Sequence, residues 1–165
     1  MRAAIFHQGK FVVDTIPDPV LAEGQVLVRT RACGICGSDL HAAKFPKQFS
    51  DLSRRSGGRF GMRDDVDIVF GHEYVGEIVA HGPGTTGRLA PGTVVTSMPL
   101  TIAGTTVMSI GYNPQLPGAF AEYLPLAERM APLITGRVGL DGVQAAFSEL
   151  ANPEAHAKIL VEPAR

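Results

Sequence analysis

Apolar and polar positions alternate with a period of two in short runs of the first 125 residues, most plainly in 25–32, the mark of strands with one face buried. Residues 2–6 (RAAIF) and 10–15 (KFVVDT) read as two short strands around the turn His7-Gln8-Gly9. Pro17, Pro19 and Gly24 then break the chain. Residues 25–32 (QVLVRTRA) place Val26, Val28 and Thr30 on one face and Leu27, Arg29 and Arg31 on the other. Residues 73–81 and 93–96 predict two further strands, the second after the turn Pro91-Gly92. The apolar stretch 97–118 predicts a hairpin or packed loop, and residues 120–125 another strand.

Helical signals are few. Ser38 or Asp39 can cap a short helix over residues 40–43. Residues 42–70 show poor periodicity, scattered charge and the Gly57-Gly58 pair, and read as an exposed loop. Near the end, Val143, Ala146, Phe147 and Leu150 recur at helical spacing after Asp141, a candidate cap, and Asn152-Pro153 stops the run. Residues 157–161 read as a closing strand. The pattern predicts a mainly β protein, a barrel or sandwich, with one amphipathic helix near the C-terminus.

Composition narrows the function classes. The chain has 165 residues, enough for one domain or at most two small ones. With 15 basic and 16 acidic residues the net charge is −1, which points away from nucleic acid and from anionic membranes as partners. The 19 glycines and 12 prolines favour many turns and short strands. Two cysteines do not make a secreted disulfide scaffold. No signal-peptide core and no apolar run of membrane-spanning length is present, so a cytoplasmic location is the expectation.

The chemistry concentrates in CGICGSDLH (residues 33–41) and GHEYVGEIV (residues 71–79). Cys36, at the expected start of a helix, is placed where backbone amides favour the thiolate, the metal-binding form. His72 precedes a strand, and Glu73 beside it is a candidate ligand or supporting base. Ligands on separate elements fit a catalytic metal site, which keeps one position open, better than a compact structural knuckle. The plainer alternative is a buried thiol and a core histidine. A redox C-x-x-C needs a βαβ setting that this chain lacks. Residues 82–87 spell G-x-G-x-x-G, but Pro91-Gly92 prevents a helix from opening there, so this segment is a turn and not a dinucleotide site.

Residues 2 to about 125 closely resemble the catalytic domain of medium-chain, zinc-dependent alcohol dehydrogenases. VRTRACGICGSDLH, VFGHEYVGEIVAHGPG, LAPGTVV and GAFAEY match its signatures in order. The segment ITGRVGLDGVQAAFSELANPEAHAKILVEP resembles the family's C-terminal return into that domain. The resemblance implies a GroES-like, partly open β-barrel spanning 1–165, with residues 126–133 as a junction where the family inserts a Rossmann domain of about 150 residues. It implies that Cys36 and His72 are two catalytic zinc ligands and that Glu73 can approach the metal. It further implies that Ser38 contacts the substrate oxygen, that His41 ends the proton relay and that Asp39 orients the site. The third ligand of the family has no plain counterpart, Glu128 being the nearest carboxylate. A cysteine-bound structural zinc is not expected, because residues 97–118 hold no cysteine.

The implied substrate is a small alcohol or carbonyl compound, with NAD or NADP as cofactor, bound by no residue of this chain. The chain is expected not to turn over alone. Alternatives are a GroES-like interaction module, self-associating through Met98, Leu100, Val107 and Ile110, or one half of a split dehydrogenase. His7, His81 and His156 read as surface or turn residues.

Overall fold

The computed structural model describes residues 1–57, 61–131, 136–152, 159–161 and 163. They belong to two compact units, Met1–Ala131 and Pro132–Arg165. In the first unit, β1 (Arg2–His7) and β2 (Lys10–Thr15) form the expected hairpin. Its two-residue turn places Gln8 at φ 47° and Gly9 at φ 84°, the left-handed pair whose twist suits flanking strands. There follow β3 (Gln25–Gly34), α1 (Gly37–Lys44), α2 (Pro46–Arg55), β4 (Ile68–Val69), β5 (Glu73–His81) and β6 (Val94–Val95). The hairpin of β7 (Leu100–Ala103) and β8 (Thr106–Ser109) and the strand β9 (Tyr123–Ala127) complete the unit.

The strands form open sheets, in the orders β2-β1-β4, β6-β5-β3-β9 and β7-β8. Val26, Val28, Ile78, Val95, Leu124 and Leu126 fill the core of the four-stranded sheet, as their alternation predicts. Phe6, Phe49, Met62, Ile68, Phe70 and Tyr112 make a second, aromatic core. The described chain is thus mainly β. Among the described residues no helix is long and apolar enough to cross a membrane.

Several expectations are corrected. The described residues of the stretch 42–70 are not an exposed loop: they carry α2 and β4, and Phe49, Met62, Ile68 and Phe70 are buried. The buried face of α2 is Phe49, Ser50 and Ser53, and two serines give no hydrophobic signal. Cys36, not Ser38 or Asp39, is the N-cap of α1. The last strand of the unit begins at Tyr123 instead of residue 120 and runs on to Ala127. Ile110 is fully buried in the core, so it cannot belong to a sticky surface, whereas Met98 and Val107 are exposed.

The second unit contains β10 (Gly136–Val138), α3 (Val143–Leu150) and β11 (Ile159–Val161). β10 pairs in parallel with β11, and α3 lies in the connection between them. Asp141 lies in a single 3₁₀ turn, Leu140–Gly142, and Gly142 takes the cap position expected of it. Ala146 is buried but Phe147 is 72% exposed, so the apolar stripe of α3 is only partly used. The expected helix stop at Pro153 and the first residues of the closing strand, 157–158, lie outside the described residues.

Candidate metal centre

The β3–β5 ladder explains why two distant motifs meet. Its antiparallel register ends at Cys33↔Tyr74 and Gly34↔Glu73. Cys36 lies two residues beyond the end of β3, and His72 immediately precedes β5. The chain ends that leave this ladder therefore converge at one edge of the sheet. Gly71 makes the approach to His72 possible: its φ is +98°, and a Cβ there would stand 2.7 Å from both the Phe120 ring and the Phe120 backbone nitrogen. Gly34 leaves room for Glu73, whose Oε2 would lie 3.2 Å from a Cβ at that position.

The Cys36 thiol, the His72 imidazole and the Glu73 carboxylate offer ligand atoms that all lie within 4.8 Å of one another. His72 is buried, Cys36 half-buried and Glu73 exposed, so the set opens to solvent on the carboxylate side. Hydrogen bonding from the Ser38 hydroxyl, then from the Ser38 N–H and from His72, holds the Cys36 thiol below its ordinary range, against an opposing effect of Glu73. Cys33 differs: burial pushes its thiol up to about 11, which suits a packed residue and not a ligand. Thiolate, imidazole and carboxylate are the donor types of catalytic zinc sites with three protein ligands, so the residues present fit that ion.

Behind the donors lies a buried polar network. The Asp39 carboxylate accepts from the Cys36 N–H at 3.0 Å through Oδ2 and from the Tyr112 hydroxyl at 3.0 Å through Oδ1. Asp39 Oδ1 also stands 3.3 Å from His72 Nδ1, an electrostatic pair behind the donors. This leaves His72 Nε2 on the other side, 3.3 Å from Ser38 Oγ, which in turn lies 2.9 Å from the Tyr112 hydroxyl. Burial pushes the Asp39 carboxyl up, but His72, the Cys36 N–H and Tyr112 together outweigh it and hold it low. Asp39 in return raises His72, more than burial lowers it. Tyr112, whose ring also packs 5.2 Å from that of His72, belongs to this network although its sequence context marks it only as an apolar-core residue.

His41 is not joined to the network. It lies one turn after Ser38, exposed, with its ring 5.3 Å from that of Phe45 and 6.3 Å from that of Phe49. Glu128 is not one of the converging donors either: its buried carboxylate accepts from Thr86 N–H at 2.6 Å, Thr86 Oγ1 at 3.0 Å and Arg88 N–H at 3.2 Å. Those bonds, led by the Thr86 N–H, keep it ionised below the usual range. The G-x-G-x-x-G segment is thus a loop closed by a carboxylate, and it leads to β6 and not to a helix. A cleft of about 460 Å³ beside it, lined among others by Gly24, Ile102 and Arg129, shares no residue with the donor set. His7 is exposed, 2.6 Å from Asp67, and His81 ends β5 half-buried; His156 lies outside the described residues.

Comparison with known proteins places this geometry. Residues 22–135 match the family described as alcohol dehydrogenase GroES-like domain. An alcohol dehydrogenase of Geobacillus stearothermophilus is 36% identical over 88 residues, covering 52% of this chain and 22% of that protein. The sorbitol dehydrogenase of Bacillus subtilis is 28% identical over 147 residues, 81% of this chain and 38% of that protein. The crystal structure of the alcohol dehydrogenase from Aeropyrum pernix superposes with a TM-score of 0.64 at 24% identity, over 79% of this chain and 39% of that one, and so shares the fold. The chain therefore spans well under half the length of these relatives. With the family match covering more than half of its residues, the chain belongs to the alcohol dehydrogenase GroES-like domain family.

Proposed function

We propose that this chain is the catalytic-domain portion of a zinc-dependent medium-chain dehydrogenase that interconverts a small alcohol and its carbonyl compound with NAD or NADP. The observation that carries the reading is the convergence of Cys36, His72 and Glu73 within 4.8 Å on a buried network. These three residues would hold the ion, with Asp39 fixing the His72 ring so that Nε2 points at the site. When bound, zinc acts as a Lewis acid on the substrate oxygen. Ser38 Oγ, beside His72 Nε2, is placed to hydrogen-bond that oxygen and to take the alcohol proton. His41, one turn later on α1 and exposed, would be the outer end of that relay, reached from Ser38 only through an intervening group because the two are not bonded to each other. Tyr112 keeps Ser38 and Asp39 in register.

The glycine-rich loop does not fit the dinucleotide. The amides of Thr86 and Arg88, the donors a pyrophosphate would need in the glycine-rich loop, are taken by the Glu128 carboxylate, itself an anion. We infer that the nicotinamide is held by a nucleotide-binding domain outside the described residues. Residues 134–165 then correspond to the return segment of the same catalytic domain, with 126–133 as the junction.

The test is zinc stoichiometry and affinity of the metal-stripped, reloaded protein beside Cys36→Ser. One zinc per chain, with affinity falling at least tenfold in Cys36→Ser, is the expected result. No zinc uptake, or binding indifferent to the substitution, would reduce the site to a vestige. A second reading, a GroES-like interaction module, is favoured by the exposure of Met98 and Val107 on the β7–β8 segment. Self-association abolished by Met98→Ser and Val107→Ser would support it.

A further inference from the structure

The outer edge of β2 has a pattern that the dehydrogenase reading does not use. β2 is the edge of its sheet, and every one of its residues is exposed. Phe11 and Val12 are each 48% exposed and Val13 62%. An apolar edge strand is a template for pairing with another chain.

The hydrogen-bond phase of the hairpin shows which groups face outward. The two-residue turn makes His7↔Lys10 a hydrogen-bonded pair, and such pairs alternate along an antiparallel ladder. Lys10, Val12 and Asp14 therefore turn their N–H and C=O groups to β1, and Phe11, Val13 and Thr15 turn theirs outward. Two independent bonds agree. Ala4, opposite Val13, sends its N–H away from β2 to Phe120 O at 2.8 Å. Thr15 N–H is met by the Asp14 side chain at 2.6 Å instead of by β1. Among the described residues, no strand pairs with this edge.

We propose that this edge pairs with the same edge of a second copy of the chain, antiparallel and centred on Val12. In that register Val12 faces the partner's Val12, Phe11 exchanges both backbone hydrogen bonds with the partner's Val13, and Lys10 lies opposite the partner's Asp14. The outward groups fall opposite one another, as the hydrogen-bond phase requires. Centring on Phe11 would place Lys10 opposite Val12, and centring on Val13 would place Asp14 opposite Val12. Of these three registers, only the one centred on Val12 pairs the two charges of the strand with their opposites, twice by symmetry. One face of the joined ribbon carries Val12 and the charge pairs. The other carries Val13 beside Phe11, whose ring is already braced 5.2 Å from Phe6 and 5.4 Å from Phe70. A six-residue edge is far smaller than the ~1,200 Å² of a stable interface, so the dimer is weak and concentration-dependent. The inference stands apart from the metal site and does not depend on it.

Sedimentation velocity on the 165-residue chain, from micromolar to millimolar concentration and at low and high salt, tests it. The expected result is a reversible monomer–dimer equilibrium that weakens with salt. Lys10→Glu and Asp14→Lys should each weaken it about tenfold, since each turns two attractive cross-strand pairs into repulsive ones. The exchanged pair Lys10→Asp with Asp14→Lys should restore it. Val13→Pro, which removes an outward N–H and no bond to β1, should abolish it while the thermal melt stays cooperative. If the proline variant fails to fold, the charge series alone decides. A chain that is monomeric throughout overturns the proposal, and so does a dimer that ignores the charge reversals.

Discussion

Tyr112 is the residue on which the candidate site's order turns. It donates to a buried carboxylate paired with His72, and it lies 2.9 Å from the Ser38 hydroxyl proposed to meet substrate. Tyr112→Phe removes one donor from Asp39 and leaves the ring packing intact. It should cost about 1–3 kcal/mol of stability, as for other hydrogen bonds to buried charged groups, and lower zinc affinity several-fold. Chelator competition read beside a thermal melt separates the two effects, and Tyr112→Leu should be worse in both. Asp39 and His72 also set a pH dependence for the metal-free protein. The folded pKa of Asp39 is depressed, so its stabilising effect is present above the ordinary aspartate range and lost as pH falls through the depressed value. That of His72 is raised, so its effect is present below the ordinary histidine value and lost as pH rises through the raised one. Metal-free stability from this pair should therefore peak between roughly pH 4 and 6.5. Asp39→Asn should flatten both flanks of a melting-temperature profile.

At the scale of elements, the loop carrying residues 82–88 is held by one side chain from the turn after β9. Glu128→Ala would leave the N–H groups of Thr86 and Arg88 without their acceptor, and about 1–3 kcal/mol should be lost. Amide exchange at those two residues should rise while zinc affinity stays within about twofold, because Glu128 is committed to the loop and not to the donors. A large drop in affinity would return Glu128 to candidacy as a ligand. The same loop shows what a sequence can reveal. Its glycines and the following Pro91-Gly92 announce a turn, but nothing local announces that a carboxylate some forty residues on will close it. Alternation disclosed β3 and β5 because each buries one face, whereas β1 and β2 were marked by the His7-Gln8-Gly9 turn between them, since β2 buries no face at all. The pattern missed α2, whose buried serines look polar, and it hid Tyr112 among apolar neighbours. The Cys36 and His72 motifs were legible because tight turns and metal donors occur together in short strings, whereas the ladder that joins them was not.

For the whole molecule the question is what the proposed catalytic portion can do unaided. Hydride transfer requires the nicotinamide to be held within about 3–3.5 Å of the reacting carbon, and that positioning supplies much of the rate. This chain has a convergent donor set, a hydroxyl beside it and an exposed histidine one turn on, but its glycine-rich loop is filled by Glu128. The zinc-loaded chain should therefore polarise a bound carbonyl, visible as a shifted C=O stretch of a substrate-like aldehyde, yet reduce no NAD or NADP with simple alcohols. The spectroscopic shift should vanish in Cys36→Ser. Mixing the chain with a separately expressed nucleotide-binding domain of a related dehydrogenase should restore measurable turnover if the interdomain surface is intact. Turnover by the chain alone would mean that it positions the dinucleotide by a surface other than the 82–88 loop. Neither shift nor rescue would mean that the three donors converge without forming a working Lewis-acid site, and would favour the interaction-module reading.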